Sequence, residues 1–209
     1  MPHRFPGPAY RIVTSRLVIR CWNPADAPLL KTSIDQSLEH LRPFMPWAAD
    51  EPTELQVKID RLRHWRARFD LGEDFVYGIF NPEETRVLGG TGLHARIGPE
   101  AREIGYWIHA DFINQGFATE TSAALSRVAF EVDGMRRVEI HMAVENLASA
   151  AVPRKLGYTH EATLNRRTLL NDGRYHDMMI WSLMREDYPT SPCATTELQA
   201  FDCLGRQVL

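Results

Sequence analysis

Apolar residues recur along the chain with two spacings, and the change falls near residue 75. Residues 10–21 alternate as a strand, with Ile12 and then Leu17, Ile19 and Cys21 on one side. Asn23 before Pro24 reads as an N-cap with proline at the first helical position. Leu30, Ile34, Leu38 and Leu41 then lie on one helical stripe. Pro43 and Pro46 end that helix, because a proline ring in a helix interior removes a donor and clashes with the preceding turn. Thr53 with Gln56 reads as a capping box, and Leu55, Ile59, Leu62, Trp65 or Arg66, and Phe69 continue as a second amphipathic helix closed at Gly72.

Over residues 75–109 the period is two. Residues 75–81, 87–97 and 103–109 read as an antiparallel meander with turns at 82–85 and 98–99. Residues 111–120 lead into a helix whose buried face is Ala124, Leu125, Val128, Ala129 and Val132, ended by Gly134. Val138, Ile140, Met142 and Val144 share one face of a strand. A helix over 147–156 stops at Gly157, and strands over 159–170 and 175–184 flank the turn Asn171-Asp172-Gly173. The order is strand, two helices, three strands, helix, strand, helix, two strands. It predicts an α/β fold with a mixed sheet and helices on its faces. Residues 10–186 are expected to form one domain, between an extended arm at 1–9 and a C-terminal tail at 187–209 lying outside the core.

The length of 209 residues suits one domain, and 44% hydrophobic with 24% charged residues is ordinary for a globular chain. A formal charge of -3 argues against a nucleic-acid binder, which is usually clearly basic. No run approaches the roughly 18 apolar residues of a membrane span. Cys21, Cys193 and Cys203 are too few and too scattered for a disulfide framework or a zinc site. Cys193 and Cys203 could pair, but free thiols in a reducing, cytoplasmic setting are the expectation, and no metal site is expected.

A strand, a glycine-containing turn and a helix make a phosphate site, since the first helical amides lack internal acceptors and point along a positive dipole end. Residues 115–119 supply such amides, with Gly116 free to take φ > 0 and Ala118 small enough to admit a ligand. The segment lacks the Gly-Lys-Ser/Thr of a triphosphatase and the three spaced glycines of a dinucleotide fingerprint.

Several runs together resemble the GNAT superfamily of N-acetyltransferases: Gly105-Tyr106-Trp107-Ile108, Asn114 to Glu120, Asn146-Leu147-Ala148-Ser149 and Arg154 to Tyr158. With Ser15 to Arg20 and Asp177 to Leu183, the chain is most similar to the branch of ribosomal-protein alanine and serine N-terminal acetyltransferases, over about residues 10–186. The resemblance implies a GNAT fold with a mainly antiparallel central sheet and helices on both faces. It implies acetyl-coenzyme A (acetyl-CoA) as co-substrate and direct attack by a primary amine, from a peptide N-terminus or a small molecule. The family's phosphate loop falls on Gln115, Gly116, Phe117, Ala118 and Thr119; Ile113 stands where the family pattern has Arg or Gln.

Trp107 and Ile108 match the splayed strand whose backbone pairs with the pantetheine arm, and Asn146 a position that hydrogen-bonds it. Asn146 also suits a helix N-cap. The family's general-acid tyrosine position is Pro153 here, so that mechanism is closed, and Ser149 matches the branch's donor to the departing thiolate. Pro153 also removes the amide that would bond the Ser149 carbonyl. Glu103 matches a general-base glutamate of some members, and partial desolvation there would raise its pKa. Glu139 and His141, one face of the next strand, and a water chain stay open as bases. The acceptor site is expected from residues 41–47 and the C-terminal hairpin, with Phe44 and Trp47 as an aromatic wall; Arg154 and Lys155 are candidates for the 3′-phosphate. Partners implied are an amine acceptor and, as a candidate, a second copy of the chain. A non-catalytic acyl-CoA or partner-binding module on the same fold is the alternative, because Ile113 and Pro153 both depart from pattern.

Overall fold

The computed structural model describes residues 8–209, so residues 1–7 of the expected arm lie outside it. The alternating segments pair into a nine-stranded sheet. Its strands are β1 (Arg11–Val13), β2 (Val18–Cys21), β3 (Phe75–Phe80), β4 (Val87–His94), β5 (Ala101–Ile108), β6 (Arg137–Ala143), β7 (Thr159–Leu169), β8 (Tyr175–Met184) and β9 (Gln199–Phe201). The order is β7-β8-β6-β5-β4-β3-β2-β1-β9. Every pair is antiparallel except β5 with β6. Helices α1 (Ala27–Asp35), α2 (Leu38–Leu41) and α3 (Leu55–Asp70) precede the meander; α4 (Phe117–Glu131) and α5 (Leu147–Lys155) follow it.

Two buried clusters cover the two faces. Leu30, Ile34 and Leu62 pack with Val18, Trp22, Phe80 and Val87 on one side. Leu125, Val128, Phe130 and Val152 pack with Ile19, Ile79, Ile104 and Ile140 on the other. The α/β class and the mixed, mainly antiparallel sheet agree with the sequence reading.

Four local readings change. The strand expected over 10–21 is a hairpin, because Thr14 turns the chain: its N–H donates to the Leu17 carbonyl at 3.0 Å, and its Oγ1 accepts from Leu17 N at 3.1 Å. The single helix through Leu41 breaks at Gln36-Ser37. There Gln36 Oε1 lies 3.0 Å from His109 Nε2, and Ser37 Oγ accepts from Ala110 N at 3.1 Å. The Thr53 capping box is not formed, since the Thr53 hydroxyl and amide both donate to the Glu51 carboxylate. The expected tail, residues 187–209, is not outside the core: Tyr188 stacks on Phe130 at 4.7 Å, Cys193 and Ala200 are fully buried, and β9 pairs with β1. Its few apolar residues are too widely spaced to show a period, yet Tyr188, Cys193 and Ala200 are buried while Leu204 stays exposed.

Just past α4 a carboxylate is under stress. Asp133 Oδ2 is buried with no partner among the described residues, and burial pushes the carboxyl up to about 7 against the pull of Arg102. The folded chain therefore keeps this proton after the unfolded chain has lost it. Stability should fall as pH rises from about 4 to about 7. Urea midpoints should show Asp133→Asn about 1–3 kcal/mol more stable than wild type at pH 8, with the difference closing toward pH 4.

Candidate active site

The turn before α4 takes the conformation its glycine permits. Gly116 has φ +83 and forms the N-cap of the helix, so the first amides of α4 open outward. The turn is braced from the other end of the chain. Arg16 donates to the Gln115 carbonyl at 3.0 Å, pairs with Glu120 and lies 4.6 Å over the Phe117 ring. A cavity of about 350 Å³ opens here, lined by Ile108, Gly116, Phe117, Ala118, Thr119, Asn146, Ser149 and Lys155 among others. Ile113 stands at its rim, 39% exposed.

The neighbouring strands part company. β5 and β6 are in register only from Ala101↔Arg137 to Ile104↔Ile140. Beyond Ile104, β5 stays paired with β4 alone, and the β6 side of residues 105–108 is left without a strand partner. α5 starts at this gap. Asn146 caps it, its Oδ1 accepting from Ser149 N at 3.1 Å. Ser149 Oγ lies 2.9 Å from the Tyr106 hydroxyl. That hydroxyl also donates to the Ser149 carbonyl at 3.2 Å. Pro153 explains the second contact: with no N–H four residues on, the Ser149 carbonyl has no helical donor, and Tyr106 takes its place. Burial pushes the Tyr106 phenol up to about 12, only partly offset by Ser149, so the tyrosine stays a neutral hydrogen-bonding group at working pH.

A second cavity, of about 880 Å³, adjoins the first and shares Phe44, Met45, Tyr106, Trp107, Asn146 and Ser149 with it. Its floor is glycine backbone overlaid by aromatic rings. The registers Gly78↔Gly90↔Trp107 and Val76↔Gly92↔Gly105 put four glycines on one face of three adjacent strands. A Cβ on Gly90 would sit 2.5 Å from the Trp107 indole nitrogen, and one on Gly92 2.7 Å from the His94 ring. The glycines thus let these two rings lie flat on the sheet. The same face carries Glu103, Glu139 and His141. Arg96 grips Glu103 with two hydrogen bonds, and His141 bridges Glu103 and Glu139. Burial alone would raise the Glu103 carboxyl, but Arg96 and His141 outweigh it and hold it below its ordinary value. The raised pKa expected at Glu103 is thereby corrected.

Phe44, Met45, Pro46 and Trp47 roof this cavity, and Leu164, Thr168, Leu170, Met178 and Ile180 wall it from the C-terminal hairpin. Asn171 at the hairpin tip closes the span, its Nδ2 donating to the Arg42 and Met45 carbonyls at 2.8 and 2.9 Å.

The sequence-predicted residues therefore fall in two groups. Gly116, Phe117, Ala118, Thr119 and Ile108 line the smaller cavity; Glu103 and Trp47 line the larger one; Phe44, Trp107, Asn146 and Ser149 line both. Gln115 turns its carbonyl to Arg16 and does not line the smaller cavity. Lys155 reaches the smaller cavity, whereas Arg154 lies over the Trp181 ring. Sequence reading missed Tyr106 and Arg16. An aromatic hydroxyl next to the splay was the available signal for the first; for the second, 99 residues from its partner, there was none.

A family model described as an acetyltransferase (GNAT) domain matches residues 16–159. A Bacillus subtilis (strain 168) protein provisionally named ribosomal N-acetyltransferase YdaF is 28% identical over 178 residues, covering 84% of this chain and 95% of that protein. The Escherichia coli (strain K12) [ribosomal protein uS5]-alanine N-acetyltransferase is 25% identical over 187 residues, covering 87% and 94%. Among solved structures, RimL, a ribosomal L7/L12 alpha-N-protein acetyltransferase in complex with coenzyme A, superposes with a TM-score of 0.75 at 25% identity, covering 82% of this chain and 96% of RimL.

Proposed function

The chain belongs to the GNAT acetyltransferase family and moves an acetyl group from acetyl-CoA to an amine; from that premise we propose which residues do so and what kind of amine arrives. The observation that carries the assignment is the meeting of two cavities at Ser149, Tyr106 and Trp107, one beneath a helix N-terminus and one over a glycine floor.

The residues present suit acetyl-CoA. Gly116 at φ +83 and the amides of residues 117–119 form an anion cradle. The unpaired edge at 105–108, including Trp107 and Ile108, offers backbone donors and acceptors to an extended arm, and Asn146 stands at its far side. Lys155, which lines the smaller cavity, supplies the positive charge that Ile113 does not, while Arg16, paired with Glu120, braces the turn. Acetyl-CoA supplies the acetyl group as a thioester.

An ammonium is not a nucleophile, so the acceptor must lose a proton before attack. Glu103 and His141, which line the larger cavity, receive it, with Glu139 behind His141 and Glu103 contributing negative charge beside the amine. Ser149 Oγ turns its proton to the departing sulfur and accepts from the Tyr106 hydroxyl, which lies 2.9 Å away and gives up its bond to the Ser149 carbonyl. Phe44 and Trp47 cover the acceptor's carbon skeleton. The names of the similar proteins support an α-amino group of a peptide or protein as acceptor. The three cysteines are free, in keeping with a cytoplasmic enzyme, and no helix among the described residues is long and apolar enough to cross a membrane.

Two measurements test the reading. Acetyl-CoA should raise the melting temperature, and free thiol should appear when a suitable amine is added. Gly116→Ala, which forces a Cβ into the left-handed region at a cost of about 1–2 kcal/mol, should weaken acetyl-CoA binding about tenfold by calorimetry. No melting shift and no binding at millimolar cofactor would overturn the assignment. Tight binding without turnover across peptides, polyamines and aminoglycosides would make the chain a binding module.

A further inference from the structure

Four of the chain's five tryptophans, Trp22, Trp47, Trp65 and Trp107, line the larger cavity, together with Leu30, Ile34 and Val76. They come from four separate elements: the end of β2, the segment before α3, α3 itself and β5. Trp47 meets Trp107 edge-on at 6.1 Å, and Trp22 meets Trp65 at 6.4 Å. Glycines beneath them let the rings lie close on the sheet: a Cβ on Gly90 would come within 2.5 Å of Trp107, and one on Gly78 within 2.4 Å of Phe80 and 2.9 Å of Trp22.

Two features make this lobe more than spare core. Trp22 is 1% exposed, yet its Nε1 has no hydrogen-bond partner among the described residues. Trp22 is itself packed in the core, edge-on to the Phe80 ring at 5.4 Å, so the indole surface open to a ligand is that of the half-buried Trp47, Trp65 and Trp107. Charge is also one-sided. Among the residues lining this part of the cavity the charged group is Arg61, already bound to Glu51, and the lining carboxylates Asp74 and Glu103 are engaged by His94 and Arg96 in the other part. A second ammonium, as on a polyamine, would face an arginine and no carboxylate there. A flat neutral ring would face three indoles.

We propose that this indole-lined lobe is a specificity pocket for an aromatic ring carried a few bonds from the acceptor amine. The inference rests on the acetyl-transfer reading and names its substrate class. The ring enters between Trp47, Trp65 and Trp107, and the amine is left over Gly105, beside the gap where β5 and β6 part. A small arylalkylamine and a peptide whose first residue is aromatic present the same chemistry; the arms of the test separate them.

The full-length chain is assayed for thiol release from acetyl-CoA with 2-phenylethylamine, phenylalanyl-glycyl-glycine, alanyl-glycyl-glycine and spermidine. Tryptophan emission is titrated with the same four amines without acetyl-CoA. The phenyl compounds should change the emission saturably, and at least one should be turned over with kcat/KM at least tenfold above the alanyl peptide and spermidine. Turnover of phenylethylamine alone marks a small-molecule acceptor, and of the phenylalanyl peptide alone a chain terminus; both support the pocket. Trp65→Ala should raise the KM of the favoured compound at least tenfold while the acetyl-CoA melting shift remains. Gly90→Ala, which drives a methyl against the Trp107 ring, should do the same and serves if the first variant does not fold. Equal or better turnover of the alanyl peptide or spermidine overturns the proposal, as does emission unmoved by either phenyl compound. Loss of the acetyl-CoA melting shift in the wild-type chain would instead sink the acetyl-transfer reading, while the emission titration still decides the pocket.

Discussion

Ser149→Ala should lower kcat for thiol release about a hundredfold, the scale of a positioned general acid, with little change in the affinity for acetyl-CoA. The geometry supports a loss in turnover alone. Ser149 Oγ stands at the junction of the two cavities, and its only protein partner among the described hydrogen bonds is the Tyr106 hydroxyl at 2.9 Å. Tyr106 is itself fixed by the Ser149 carbonyl, which Pro153 leaves without a helical donor. One tyrosine thus holds both the backbone and the side chain of the serine. Tyr106→Phe should therefore also reduce kcat, by about tenfold, because the serine keeps its proton but loses its orientation. Single-turnover kinetics with acetyl-CoA in excess would read both effects. Unchanged turnover in Ser149→Ala would strip it of the donor role.

A second large effect is expected far from the reacting atoms. Lys58 and the Glu51 side chain are both fully shielded from water and paired with each other, and Arg61 joins Glu51 at 2.9 Å. Lys58→Met should destabilise the fold by about 3–5 kcal/mol, because it strands a buried carboxylate rather than removing a pair. The midpoint of urea unfolding measures this. The double variant with Glu51→Gln should recover part of the loss, which separates stranded charge from lost packing. Burial works against the Glu51 carboxylate, but Lys58 and Arg61 prevail and hold its pKa below the ordinary value. Its stabilising contribution is therefore complete above the ordinary carboxylate range, and it fades as pH falls through the lowered folded value. The cluster also reaches function: the Glu51 carbonyl accepts from Arg42 at 2.8 Å, so the segment bearing Phe44 and Trp47 is tied at both ends, here and at Asn171.

The parts of this architecture visible in the sequence are those encoded within a few residues. Strand period, the Asn23 and Asn146 caps, and the left-handed glycines at 116, 134 and 157 follow from local rules, and the structure places them as expected. What stayed hidden depends on contacts across the sheet. Lys58 is not one of the apolar residues that mark the stripe of its helix, and only the fold brings Glu51 against it. Gln36 and Ser37 look like ordinary helical positions until His109 and Ala110 arrive from 73 residues away and interrupt the helix. Pro153 looked like a defect because its compensation, Tyr106, lies 43 residues from Ser149 in the chain. In each case a long-range polar contact overrides a local pattern, and apolar periodicity carries no record of such contacts.

The glycines under the larger cavity have an evolutionary reading. At Gly90 or Gly92 a single methyl would tilt the ring of Trp107 or His94 and reshape the room above, while the strand edge at 105–108 and the turn at Gly116 stay as they are. The molecule can in this way exchange one amine for another by minimal steps, without dismantling the apparatus that receives the acyl donor. Diversification of acceptor preference among such enzymes should leave its traces in the smallest side chains of the sheet.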